Sequence, residues 1–251
     1  MHESGDATIF LADPGDTTPD EGSILAEQIL TADERQRTHR FVRREDRHDR
    51  LVARALVRLG LSSRFDVEPA AWRFDSDQRQ KPFVSDPGDL PPFQFSLSHT
   101  RGLIALLVTS ATHAGVDVEH IERTNDLALV ASRVCATAEL ESLNRLAPGA
   151  WRERFFQLWT LKEAYAKARG LGITLPLNCI AFFIDGDDVH AHFAEDIDDD
   201  PAAWQFRVRR ISDQHVLASA LSRDSAQSLE LKLQRVRVAV ADGKAALEPI
   251  G

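Results

Sequence analysis

From Trp151 to Arg169, the residues Phe155, Leu158, Leu161, Tyr165 and Ala168 recur at helical spacing and form one apolar stripe. Phe156 and Trp159 border the opposite side, which also carries Glu163 and Lys167. A merely solvated face would rarely hold both aromatics, so this helix has to be covered on two sides. Its own sheet can cover one. The other half of the chain is the natural cover for the Glu163 face. Glu163 and Lys167 stand one helical turn apart, so a carboxylate and an ammonium can meet the same charged substrate.

The rest of the chain alternates helices and strands. Ile9 to Ala12 reads as a short strand within Ser4 to Gly22, a stretch otherwise rich in Gly, Pro, Asp and Thr. Thr31-Ala-Asp-Glu34 has the capping-box pattern, and Phe41, Leu51, Ala55, Leu56 and Leu59 continue helical spacing to a break at Gly60. Trp72 to Phe74 is extended, and Ser85 to Asp89 is rich in turn formers. Phe93, Phe95 and Leu97 alternate with polar residues as a half-buried strand ending at Ser98-His99. The apolar run from Leu103 to Thr109 suits a central strand. Ser110 to Gly115 then turns the chain, so the acidic strand Gly115-Val-Asp-Val-Glu119 is expected to end a hairpin. Asp126 to Val134 and Ala138 to Leu146 read as helices, with a stop at Pro148-Gly149. Cys179 to Ile184, Trp204 to Val208, Val216 to Leu221 and Leu229 to Val240 read as strands. The expected fold class is α+β. No internal repeat is visible, yet each half shows a long helix followed by strands, as a duplicated architecture would.

Composition excludes several functions. The longest apolar stretch, Leu103 to Val108, is far too short to cross a bilayer, and acids near Met1 stand where a signal peptide needs bases. A cytoplasmic protein without membrane contact is expected. Cys135 and Cys179 form no CxxC and read as buried free thiols. A net charge of -9 argues against a nucleic-acid binder. Basicity is nonetheless concentrated in Arg35, Arg37, Arg40, Arg43, Arg44, Arg47, Arg50, Arg54 and Arg58. Interleaved acids make most of these a solvated helix face. Asp185 to Asp200 holds eight acids and neither Lys nor Arg, which suits an exposed loop.

The chemistry is carried by a conjunction. On a strand, Asp117 and Glu119 point to one face and Val116 and Val118 to the other. With Glu163 they form an oxygen-only set that favours a hard cation such as Mg²⁺, with Mn²⁺ as the alternative. Either pattern alone is commonplace: a wet strand face, or a surface ion pair between Glu163 and Lys167. Ser98 and His99 could reach a phosphate, but neighbours on a strand point apart, which disfavours Ser98 as a His99-activated nucleophile. His190-Ala-His192, in acidic surroundings, reads as exposed histidines.

Several separate motifs follow one another in a fixed order: Arg40-Phe-x-x-x-Glu-Asp-x-His48, Lys81-Pro82, Phe95-Ser-Leu-Ser-His99, Gly115-Val-Asp-Val-Glu119, and Trp159-x-x-Lys-Glu-Ala-x-x-Lys167 with Gly170-Leu-Gly172 and Leu175-Pro176. This set resembles the 4′-phosphopantetheinyl transferases of the Sfp, or surfactin-synthetase-activating, type over about Thr31 to Pro176. The resemblance implies a pseudo-twofold arrangement of two similar halves, each a small, mainly antiparallel sheet packed on a long helix. Residues 1–112 would form the N-terminal half, with the basic helix and coenzyme A phosphate contacts. Residues 113–251 would form the C-terminal half, with the metal site and the catalytic helix. Coenzyme A would lie in the cleft between them. This chain departs from the pattern at Glu34, where close relatives place a lysine in the grip on the 3′-phosphate; Arg35 and Arg50 are the candidate substitutes. Phe-Ser-Leu-Ser-His and Val134-Cys135 also differ from relatives, compatibly with the fold.

The implied reaction moves phosphopantetheine from coenzyme A to a serine of an apo acyl or peptidyl carrier protein, as in fatty acid, polyketide or nonribosomal peptide synthesis. Adenosine 3′,5′-bisphosphate is released. By resemblance, Asp117, Glu119 and Glu163 hold the metal, Glu163 and Lys167 are catalytic, and Arg50, Lys81, Ser98, His99, Asp117 and Lys167 meet coenzyme A. Lys162 is either a further contact or a surface lysine. The two-halves architecture implies a monomer. Two other readings remain open from sequence: a magnesium-dependent phosphoesterase acting on coenzyme A-like substrates, and a non-catalytic coenzyme A or partner-binding module.

Overall fold

A computed structural model describes residues 6–39, 43–78, 81–122, 126–223 and 229–250. Strand β1 (Asp6–Ala12) leads into helices α1 (Pro19–Ile29), α2 (Ala32–His39) and α3 (Arg44–Ser62). Strands β2 (Arg73–Ser76), β3 (Pro82–Asp86), β4 (Gln94–Thr100), β5 (Leu103–Thr109) and β6 (Ala114–His120) follow. Helices α4 (Leu127–Val134), α5 (Thr137–Leu143) and α6 (Pro148–Arg169) come next. The chain closes with β7 (Ile180–Asp185), β8 (Asp188–Phe193), β9 (Trp204–Arg210), β10 (His215–Ser222), β11 (Glu230–Ala241) and β12 (Lys244–Pro249). The fold is α+β, and no helix is long and apolar enough to cross a membrane among the described residues.

Two helix-on-sheet units share a central apolar layer. One is a five-stranded sheet in the order β12-β11-β1-β5-β4; the other is a three-stranded sheet in the order β6-β10-β9. Ile104, Leu106 and Val108 of β5 face α3, whereas Leu103, Ala105 and Leu107 meet Val116 and Val118 of β6 and Leu217 of β10. The unbroken apolar run of β5 is thereby explained, since both of its faces are buried. Helix α6 covers the opposite face of β6 and β10, with Phe155, Leu158, Leu161 and Tyr165 in the second core. At Gly115 this packing is so close that a Cβ would stand 2.0 Å from the Ala164 carbonyl oxygen and 2.5 Å from the Ala168 nitrogen. Only glycine lets helix and strand backbones approach in this way.

Several expectations need correction. β5 and β6 form no hairpin: they belong to different sheets, because the turn after Thr109 carries the chain across the central layer. The polar face of β4 meets β6. The Ser96 hydroxyl accepts from the Val116 N–H at 3.1 Å, Ser98 from Val118 at 3.3 Å and Thr100 from His120 at 3.3 Å. Three hydroxyls two residues apart thus satisfy the outer edge of β6, whose bare N–H groups would otherwise be unpaired. Gly60 does not end a helix; it lies inside α3, where a Cβ would meet Leu106 at 2.6 Å. The last strands return to the first sheet, since β11 pairs with β1 and brings β12 with it. Arg40 and Phe41 lie outside the described residues.

Other local readings hold. Thr31 and Glu34 form the expected capping box, with the Thr31 N–H on Glu34 Oε2 at 2.9 Å and the Glu34 N–H on Thr31 Oγ1 at 3.3 Å. Cys135 and Cys179 are free, the first buried and the second half-buried. Within the acidic stretch the chain forms β8, not a loop throughout, and His190 and His192 lie on its exposed face.

Candidate active site

Alternation along β6 sends Asp117 and Glu119 toward α6 and Val116 and Val118 into the layer between the sheets. Asp117 is 5% exposed. Its Oδ1 accepts from the Ser98 hydroxyl at 2.8 Å and from Lys167 Nζ at 2.7 Å. Its Oδ2 is buried with no hydrogen-bond partner, an arrangement disfavoured for a carboxylate oxygen unless a further ligand meets it. Glu119, also buried, accepts at Oε1 from the Trp159 indole N–H at 2.8 Å. Trp159 was expected to border this face; its hydrogen bond to Glu119 was not expected.

Glu163 is half-buried on the same side of α6. Burial pushes its carboxyl above the ordinary range, and the charges of Asp117 and Glu119 add to that against the opposing pull of Lys167. Asp117 is raised as well, because its desolvation outweighs the stabilising effects of Lys167 and Ser98. Three carboxylates therefore share one poorly solvated region with a single lysine against Asp117. Their oxygen-only chemistry and the partnerless Oδ2 fit a hard divalent cation. Among the described residues, no three such side chains are already drawn together as a metal-holding group.

Lys167 links this region to a cleft of about 700 Å³. Helix α2 contributes Arg37, α3 contributes Arg50 and Arg54, Lys81 precedes β3, and His99 comes from β4; Ala166, Lys167, Gly170 and Gly172 form the opposite wall. Lys81 Nζ donates across the cleft to the Ala168 carbonyl at 3.2 Å, and its burial lowers its pKa. His99 is also lowered, first by the cleft walls that desolvate it, then by Arg50 and Lys167. Its ring thus meets the two cationic side chains Arg50 and Lys167.

The sequence-predicted contacts thus divide. Arg50, Lys81, His99 and Lys167 line the cleft, whereas Ser98 lies beneath it, its hydroxyl engaged by Asp117 and Val118. Lys162 is neither a cleft nor a surface residue: it is fully buried and paired with Glu139 at 2.8 Å. Glu34 accepts from Arg58 at 2.7 Å. Burial raises the Glu34 carboxyl, but Thr31 and Arg58 outweigh it and the net shift is downward. Arg35 is not among the residues lining the cleft and donates to the Leu30 carbonyl at 2.7 Å, at the end of α1. Arg54 does face the cleft, one helical turn after Arg50, a spacing by which sequence could have found it.

Residues 113–220 match the family model described as the 4′-phosphopantetheinyl transferase superfamily. Residues 18–112 match the one described as 4′-phosphopantetheinyl transferase, N-terminal. The chain is similar to 4′-phosphopantetheinyl transferase HetI of Nostoc sp., with 35% identity over 144 residues, covering 57% of this chain and 61% of that protein. It is similar to 4′-phosphopantetheinyl transferase Sfp of Bacillus subtilis, with 28% identity over 160 residues, covering 63% and 68%. It also matches 4′-phosphopantetheinyl transferase pptA of Paxillus involutus, with 30% identity over 186 residues, covering 67% and 68%. Two consecutive family matches and these relatives establish that the chain belongs to the 4′-phosphopantetheinyl transferase superfamily and is of Sfp-like type.

Proposed function

We propose that this protein transfers 4′-phosphopantetheine from coenzyme A to a serine hydroxyl of an apo carrier protein. The serine oxygen forms a bond to the phosphorus that carries pantetheine, the pyrophosphate P–O bond breaks, and adenosine 3′,5′-bisphosphate leaves. The observation that carries this reading is Lys167, which lines the basic cleft and donates to Asp117 beside its partnerless buried oxygen.

In this reading Arg50, Lys81 and His99 hold the phosphates and adenosine end of coenzyme A. Lys167 stabilises charge on the leaving phosphate and is its proton donor. Glu163 is the candidate base for the serine proton, directly or through water, besides its place among the metal ligands. Asp117, Glu119 and Glu163 would hold Mg²⁺, which when bound lowers charge repulsion around the pyrophosphate. The protein is read as a cytoplasmic monomer.

The test is to incubate the protein with coenzyme A, Mg²⁺ and several apo carrier proteins of fatty acid, polyketide and peptide pathways, then measure intact carrier mass. A phosphopantetheinyl adduct is expected with wild type and not with folded Glu163→Gln. Coenzyme A breakdown without an adduct would replace the proposal by a phosphoesterase, and binding without turnover by a non-catalytic module.

A further inference from the structure

Helix α6 projects Lys167 into the cleft and Glu163 toward Asp117 and Glu119, but the residue beside Glu163 points into the C-terminal core. Lys162 is fully buried, and its ammonium donates to Glu139 Oε2 at 2.8 Å, to the Leu177 carbonyl at 2.9 Å and to the Ile180 carbonyl. An ammonium has three N–H donors, and three acceptors surround this one. Glu139 is equally engaged: its Oε2 accepts from the Ala136 N–H at 2.7 Å and its Oε1 from the Phe182 N–H at 2.8 Å. One buried pair therefore joins the start of α5, the middle of α6, the segment after α6 and strand β7.

A buried ion pair is weak evidence of stabilisation, because desolvation offsets much of the attraction; its better-attested use is to fix one arrangement against others. Adjacent helix residues lie about 100° apart around the axis. Any rotation of α6 that moved Glu163 relative to Asp117 would also pull Lys162 from its acceptors. We infer that Lys162 and Glu139 are positioning residues, locking the rotation of α6 so that Glu163 and Lys167 face Asp117. The kinetic part of this inference rests on the transferase reading; its structural part does not.

Lys162→Met alone leaves the Glu139 charge buried and unpaired, so the informative variant is the double one, Lys162→Met with Glu139→Gln, which leaves no buried charge. Thermal unfolding, kcat and KM for coenzyme A, and the NMR resonance of the Trp159 indole N–H are measured on the full chain. Trp159 reports helix setting directly, because it donates from α6 to Glu119 on β6. The double variant is expected to unfold cooperatively, with kcat reduced roughly ten- to a hundredfold, KM nearly unchanged and the Trp159 resonance displaced. Wild-type kcat together with an unmoved Trp159 resonance would overturn the inference and leave the pair as core only. If wild type transfers nothing, the transferase reading fails separately, and a displaced or unmoved resonance decides the positioning claim.

Discussion

The Ser98 hydroxyl has two partners, donating to Asp117 Oδ1 and accepting from the Val118 N–H. Ser98→Ala should therefore cost about 1–3 kcal/mol in urea denaturation, since a buried N–H and a buried carboxylate each lose a partner. KM for coenzyme A should stay near the wild-type value. A raised KM at unchanged stability would instead make Ser98 a ligand contact. The facing of Asp117 and Glu119 was legible in sequence because strand alternation alone decides it. Lys162 was not legible, because its burial depends on Glu139, which reaches it only through the packing of α5 against α6. The same holds for Glu34, whose partner Arg58 lies on another helix.

Elements were easier to read where a repeating pattern specified one face. Helix α6 and strands β5 and β6 fall where periodicity puts them. Helix α1 was missed, although Thr18-Pro-Asp-Glu21 is a capping box with proline at the first helical position; its Thr18 N–H meets Glu21 at 2.9 Å. The junction of α6 with β6 was hidden at Gly115, which looked like part of a motif and is also a contact between backbones. Gly115→Ala should destabilise the protein by about 1–3 kcal/mol or more, because the obstructing atoms belong to a helix backbone and not to a flexible side chain. Transfer activity should fall further than stability alone explains, as α6 carries Glu163 and Lys167 away from Asp117. Thermal unfolding and initial rates of the same preparation would check both; wild-type values in each would show that helix and strand can separate without effect.

At the scale of the molecule, two helix-on-sheet units were legible, but the return of the chain to its first sheet was not. A local pattern can identify a strand without naming its partner, and Asp6 pairs opposite Glu230. β1 lies between β11 and β5, and Val236 and Val238 complete the core under α3. A fragment of residues 1–112 should consequently show no cooperative thermal unfolding by circular dichroism; a sharp transition would mean that β11 is dispensable. The seam formed by Ser96, Ser98 and Thr100 on β6 has a geometric consequence. A hydroxyl turns about its Cα–Cβ bond, whereas a carbonyl is fixed in its peptide plane, so these three oxygens hold the alignment of two strands without requiring them to be coplanar. Each sheet can keep its own twist. The two sheets are thereby joined along one seam without merging into a single continuous sheet.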